Sequence, residues 1–237
     1  MFDLKIAVII PVYNEEGKIG KVVKEIDRSL VDRVIVVDDG STDNTKEEAK
    51  QSDAIIISHK KNKGIGGAVR SGFARALSND AEILVIMAGD GQSDPKELKK
   101  LVEPILIGNA DFVISSRLLG NYQSMPLTRY IGNKIFTLII NLLTRRRFTD
   151  VLSGYRALTR VVAKKLTITV KGYGLESEML IKAAYHGFII KEIPIKTIYE
   201  KNTSKMIPLV SWSQIFITQI LTYLKIIKNR RKNKNTK

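Results

Sequence analysis

Two short segments concentrate groups able to hold a cation and a phosphate. Ala88-Gly89-Asp90-Gly91-Gln92-Ser93-Asp94 follows the apolar run Ile83–Met87, which sets one carboxylate and one carboxamide at the mouth of a predicted strand. Open α/β sheets bind ligands at the C-terminal ends of their strands. A carboxylate there suits a hard divalent cation, and glycines on both sides let the chain turn and a bulky anion approach. Val34-Ile35-Val36-Val37 likewise empties into Asp38-Asp39-Gly40-Ser41-Thr42-Asp43. The same residue types also build turns and helix N-caps, and Ser41 or Thr42 is placed to cap a helix beginning near Asn44. Two short apolar strands ending in acid at one edge favour a nucleotide site with a metal.

The elements that must position these loops alternate. Strands are predicted at Ile6–Ile10, Val34–Val37, Ile55–Ser58, Ile83–Met87 and Phe112–Ser115, with helical patterns between them. That alternation predicts an α/β fold with a mostly parallel sheet flanked by helices. Ile19, Val22, Val23, Ile26 and Leu30 form one apolar stripe of a first helix. Further helices are predicted at Thr45–Gln51, Gly67–Ser78 and Pro95–Ile107, the last with Asp94 as N-cap and Pro95 at its first position.

Composition narrows the classes. The 237 residues, 44% hydrophobic and without a Pro/Ser-rich linker, suffice for one full core. Zero cysteines exclude disulfides, thiolate catalysis and cysteine-bound metal, and only His59 and His186 are available as imidazoles. The start Met1-Phe2-Asp3-Leu4-Lys5 lacks a basic signal-peptide region, so the body is expected on the cytoplasmic side. The net charge of +15 is concentrated in Arg145-Arg146-Arg147 and in Lys225–Lys237, which carries seven basic residues and no acid. No interleaved aromatic surface accompanies this charge, so nucleic acid is not the expected partner.

Both basic clusters follow unusual helices. Arg129–Thr144 confines its polar residues to Arg129, Asn133, Thr137 and Asn141, and Leu209–Ile227 confines most of its own to Ser211, Gln214, Thr218, Thr222 and Lys225. Wide apolar faces, Trp212 and flanking Arg/Lys fit helices lying in a membrane surface. The alternatives are burial in the core, pairing in a dimer, or, for Ile207–Leu224, a marginal span containing six Ser, Thr or Gln residues. Peripheral attachment is the expectation. It divides the chain into a body, 1–205, that includes the interfacial helix at about 129–144, and a membrane-associating helix with a basic tail, 206–237.

Two more loops complete the constellation, Pro11-Val12-Tyr13-Asn14-Glu15 after the first strand and Asn62-Lys63-Gly64-Ile65-Gly66-Gly67-Ala68 after the third. With Val37–Asp43 and Met87–Pro95 in order, the chain resembles the family 2 inverting glycosyltransferases of GT-A (Rossmann-like) fold. Ser115-Ser116-Arg117, Asp150–Arg156, Glu192-Ile193-Pro194-Ile195 and Thr203-Ser204-Lys205 point to the dolichyl/polyprenyl-phosphate sugar synthase branch. The absence of G-x-G-x-x-G after the first strand argues against a dinucleotide-binding dehydrogenase.

The resemblance implies roles. Pro11, Tyr13, Glu15 and Asp39 match the nucleoside pocket of a sugar donor, and Asp90 and Gln92 match ligands of Mg²⁺ or Mn²⁺, with Asp90 also facing the donor. Arg117 and Arg129, with Lys205, match the residues that hold the acceptor phosphate, and Asp90 and Arg117 are the expected catalytic pair. The implied donor is a nucleotide sugar, GDP-mannose first and UDP-glucose second, and the implied acceptor a dolichyl or polyprenyl phosphate at the cytoplasmic membrane face. Such an acceptor is already ionised and needs no general base, so Asp150, Ser153 and Arg156 are read as a structural or pocket-lining turn, and Glu176 and Glu178 as helix N-terminal charges. Two positions depart from the family pattern: Ala88 stands where an aspartate is usual, and no Arg precedes Ser204-Lys205. The first departure opens an alternative, a nucleotide-sugar-binding protein with weak or lost activity.

Overall fold

The apolar runs do become strands, and they pair side by side. A computed structural model describes residues 4–119, 125–196 and 208–235, with side chains in the last segment described for residues 211–230. The strands are β1 (Ile6–Val12), β2 (Arg33–Asp38), β3 (Ile55–Ser58), β4 (Ile83–Ile86), β5 (Phe112–Ser116), β6 (Arg156–Thr159) and β7 (Ile190–Pro194), in spatial order β3-β2-β1-β4-β6-β5-β7. All neighbours are parallel except β6, which runs antiparallel to both β4 and β5. The register pairs Pro11 with Val37, Val12 with Asp38, and Asp38 with Ser58, so three strands release their loops at one level.

Helices cover both faces because the central strands are apolar on both. One face packs on α1 (Ile19–Lys24), α2 (Thr45–Lys50) and α4 (Leu98–Leu106), burying Val22, Val23, Ala49, Leu101 and Val102. The other packs on α3 (Ile65–Ser78), α5 (Leu127–Thr144), α6 (Arg160–Lys165), α7 (Leu175–Tyr185) and α8 (Pro208–Asn235), burying Phe73, Phe136, Val162, Met179 and Ile215. A Cβ at Gly72 would overlap Ile9 Cγ2, so glycine lets α3 lie close on β1.

Several local expectations change. The first helix stops at Lys24, although Ile26 beyond it is still buried. Its N-terminus is closed from α2, where Glu48 accepts the N–H groups of Gly17 (2.7 Å) and Gly20 (2.9 Å). Ser41 and Thr42 do not cap α2. Ser41 Oγ accepts the Asn14 N–H, while Asp43 Oδ1 accepts the Thr45 N–H. Asp94 does cap as expected, accepting the Lys96 N–H, but the turn it opens, Pro95–Glu97, is a 3₁₀ helix that precedes α4.

The outer helices bury polar residues among apolar ones and carry apolar residues outside as well. Along α5 the buried residues include Asn133 and Thr137, whereas Leu127, Ile131, Ile135, Leu138 and Leu142 form an exposed stripe, Leu127 and Leu142 being 70% and 71% exposed. In α8, Ser211, Gln219 and Thr222 are buried, and Phe216, Ile217, Leu221 and Leu224 face outward. Gln214, expected on the polar stripe of α8, is itself exposed. Trp212 is half-buried: it packs over Gly132 and meets the Phe136 ring edge-on at 6.2 Å, joining α8 to α5. Among the described residues no helix is long and apolar enough to cross a membrane. The boundary expected at residue 205, and Lys205 itself, lie outside the described residues.

Candidate active site

The loop after β1 is laced to the loop after β2. Asn14, at φ 54°, turns the first loop, its Oδ1 accepts the Thr42 N–H (2.9 Å), and Thr45 Oγ1 accepts the Glu15 N–H (2.7 Å). Pro11 is buried, Tyr13 is 40% exposed, and Glu15 pairs with Lys18 at 3.1 Å. Asp39 is nearly sealed: Oδ1 accepts the Lys63 N–H (2.9 Å) and faces His59 Nδ1 at 2.6 Å. The four residues expected at a nucleoside pocket therefore share the ends of β1 and β2.

Next to them, β4 delivers the Asp90 loop. Gly91 adopts φ 81° with open space on its Cβ side, so it makes the turn beside the carboxylate. Gly89 serves packing instead, since a Cβ there would overlap Val12. Asp90 Oδ1 accepts the Gln92 N–H (3.0 Å), and Oδ2 accepts Gln92 Nε2 (2.9 Å). Burial pushes the Asp90 carboxyl above its ordinary range, and the like charge of Glu15 adds to this, against Gln92 and Lys18. An under-compensated acid of this kind favours a cation.

Among the described residues no three His, Cys, Asp or Glu side chains gather as a self-sufficient metal site. One half-buried carboxylate and one carboxamide, with the charge of Glu15 felt nearby, do fit a divalent ion completed by ligand phosphates and water. Ala88, where the resemblance implies a further acid, adds no carboxylate to this set. It lines a cavity of about 90 Å³ shared with Pro11, Ile65, Arg156, Glu176 and Met179.

Across the edge, Arg117 follows β5. Its Nε and Nη2 donate to Asp150 Oδ2 (2.7 Å) and Oδ1 (2.8 Å), and its backbone N–H also reaches Oδ2. Asn133 of α5 donates to Asp150 Oδ1 (2.6 Å), tying this pair to the helix with the exposed apolar stripe. The charge of Arg117 holds the fully buried Asp150 carboxyl below its usual range in spite of its burial. Arg129 sits half-buried in the first turn of α5.

Some residues carry more than the sequence indicated. Arg156 is fully buried and donates to the carbonyls of Val151, Ser153 and Glu176, and burial lowers its pKa to about 10. Glu178 is a clamp as well as a helix-terminal charge: it accepts the N–H groups of Thr169 and Val170 and pairs with Lys182 at 2.6 Å. Glu192 accepts the N–H groups of Thr149 and Asp150, fixing the turn that presents Asp150 to Arg117. Sequence offers His59 as one of two imidazoles. The signal was present, because it follows β3 just as Asp39 follows the neighbouring β2.

The Rossmann-like sheet thus carries acidic loops on one half of its edge and a clamped arginine on the other. The glycosyl transferase family 2 profile matches residues 7–167, and the chain belongs to that family. It is 38% identical to the UDP-N-acetylglucosamine–dolichyl-phosphate N-acetylglucosaminyltransferase of Methanococcus voltae, over 84% of this chain and 88% of the relative. It is 32% identical to the polyprenol monophosphomannose synthase of Mycolicibacterium smegmatis, over 84% and 80%. The glucosyl-3-phosphoglycerate synthase of Mycobacterium tuberculosis shares the fold with a TM-score of 0.74 at 23% identity, covering 93% of this chain and 81% of that one. Another crystal structure of that enzyme contains Mn²⁺ and UDP.

Proposed function

We propose that this glycosyltransferase moves a hexose from a nucleoside diphosphate sugar to a dolichyl or polyprenyl phosphate at the cytoplasmic membrane face. The observation that carries the reading is the link Arg117–Asp150–Asn133, which couples a cationic strand end to a helix with an outward apolar face. A phosphate on a lipid tail needs that pairing: a guanidinium for the head, and an oily surface for the chain. Relatives named for dolichyl-phosphate and polyprenol sugar transfer support the same acceptor.

Pro11, Tyr13, Glu15 and Asp39 take the nucleoside. Asp90 and Gln92 would hold Mg²⁺ or Mn²⁺, whose charge offsets that gained by the departing diphosphate. Arg117 and Arg129, with Lys205, orient the acceptor. One of its phosphate oxygens bonds to the anomeric carbon as the bond from that carbon to the donor diphosphate breaks, and the electron pair leaves with the diphosphate. Configuration inverts, giving a β-linked product from an α-linked donor. No proton must be removed, and Asp150, sealed against Arg117, is suited to positioning rather than to base catalysis. The exposed stripes of α5 and α8 enter the bilayer surface, and Arg145–Arg147 and the basic tail meet anionic head groups.

The test supplies purified protein with vesicles containing polyprenyl phosphate, Mn²⁺ and labelled GDP-mannose, UDP-glucose or UDP-N-acetylglucosamine. Label from one donor is expected in a chloroform-soluble, mild-acid-labile product; mannose is the first choice and glucose the second. Leu138→Glu with Leu142→Glu is expected to abolish co-sedimentation with anionic vesicles while the circular dichroism spectrum holds. Donor binding without lipid product from any donor would overturn the assignment in favour of a nucleotide-sugar-binding protein.

A further inference from the structure

Behind Asp39 lies a chain of hydrogen bonds that the transfer reaction does not itself require. His59 Nδ1 meets Asp39 Oδ1 at 2.6 Å, and His59 Nε2 meets Ser71 Oγ of α3 at 2.8 Å. Asp39 and the imidazole are both buried, Asp39 3% and His59 9% exposed. A carboxylate only accepts, so the proton on this side of the ring belongs to Nδ1, and Ser71 occupies the opposite nitrogen. The backbone anchors the pair as well, because the His59 N–H donates to Asp38 O (2.9 Å) and the Lys63 N–H to Asp39 Oδ1.

Both bonds fall on one oxygen. Asp39 Oδ2 takes no partner among the described residues. Nor is it sealed, since among the described residues the sealed side-chain polar atoms without a partner are Tyr155 Oη, Ser211 Oγ and Gln219 Oε1. One oxygen is therefore fixed from behind while the other is presented at the strand end, beside the loop of Tyr13 and Glu15.

We propose that His59, braced by Ser71, is a positioning residue that aims Asp39 Oδ2 at an N–H on the nucleobase of the donor. This rests on reading Asp39 as part of the nucleoside pocket. A carboxylate free to rotate loses orientational order on meeting the base, whereas one held on Oδ1 has already lost it. Uracil and guanine each offer a ring N–H beside a carbonyl, and a single fixed oxygen suits that edge. Ser71 acts one step further back, by keeping the ring plane in line with the carboxylate.

Titration calorimetry with UDP and GDP in the presence of Mn²⁺ tests the assignment, alongside their base-methylated forms, 3-methyl-UDP and 1-methyl-GDP. Removing a hydrogen bond to a charged group corresponds to a loss of about 10-fold or more, so His59→Ala is expected to weaken the preferred nucleotide by that factor. His59→Asn, whose amide nitrogen can replace Nδ1, should recover most of the affinity, and His59→Gln, whose nitrogen falls nearer Nε2, should not. Base methylation should weaken the wild type and cost His59→Ala nothing further, a coupling that a purely structural histidine would not produce. In turnover, the donor KM should rise while kcat holds.

Folded His59→Ala that binds as the wild type, or keeps full discrimination against the methylated base, overturns the proposal. Should that variant not fold, Ser71→Ala carries the same coupling test, with a smaller expected loss of about 2- to 3-fold. Asp39→Asn separates the two levels: if it too binds normally, the nucleoside-pocket reading falls and this inference with it.

Discussion

Two aspartates on the same sheet edge, Asp150 fully buried and Asp90 half-buried, are held in opposite ways. Asp150 has Arg117 on both oxygens and Asn133 beside it, and its carboxyl is held down. Asp90 has Gln92, with Lys18 only at longer range and Glu15 opposing it, and its carboxyl is pushed up. The fold completes one charge internally and leaves the other to be completed from outside. That difference separates a structural carboxylate from one that awaits a ligand, more reliably than residue type or burial alone.

The largest expected effect breaks the comparison on the Asp90 side. Asp90→Asn should reduce transfer by about 1,000-fold, the scale of losing a main electrostatic contact at a reacting centre. Its Tm should hold or rise, because a carboxyl whose folded pKa is raised costs stability when ionised, and that cost grows as pH climbs through the folded value. A matching fall in Tm would show that Asp90 is structural.

Next comes Asp150→Asn, which leaves Arg117 without its partner. The expected loss is about 3–5 kcal/mol, read by urea denaturation, since breaking a buried pair strands a charge. The wild type carries the same dependence on pH. The folded pKa of Asp150 is depressed, so its contribution is intact above the unfolded value near 4 and disappears as pH falls through the folded value. Acid unfolding that is identical in wild type and Asp150→Asn would contradict this.

The smallest effect sharpens the contrast. Ala88→Asp adds a second acid beside the Asp90 loop, so the metal-free protein should lose about 1–3 °C in Tm, while saturating Mn²⁺ should raise Tm more than it does in the wild type. Thermal scans with and without EDTA read both numbers. An equal Mn²⁺ response in the two proteins would place residue 88 outside the cation's reach.

The first five strands were legible because each is built on a near-continuous apolar run, as strands covered on both faces must be. β6 was not. Its four residues begin with Arg156, a charged side chain that is accommodated only because three carbonyls converge on it, those of Val151 and Ser153 from the turn just before it and that of Glu176 from α7. β7 contains Lys191, Glu192 and Pro194, which read as loop until β5 is beside it. The positions of Asp39, Asp90 and Arg117 at strand mouths followed from pattern and family resemblance together. Their pairings did not: Asp150 was readable as part of a turn and His59 as a residue after β3, but that they meet Arg117 and Asp39 is set only by tertiary contact. Periodicity likewise gave the stripes of α5 but not their direction, since a 3.6-residue repeat is the same whether its apolar side faces a core or a bilayer.

The reversed strand β6 also orders events during synthesis. β1 to β4 can assemble as soon as they leave the ribosome, yet the outer edge of β4 stays open until Arg156–Thr159 arrive, and β5 has no route into the sheet before then. The nascent chain thus spends the intervening elongation time with an unsatisfied backbone ladder beside the emerging oily helix α5, the interval in which a chaperone or the membrane itself has most to protect.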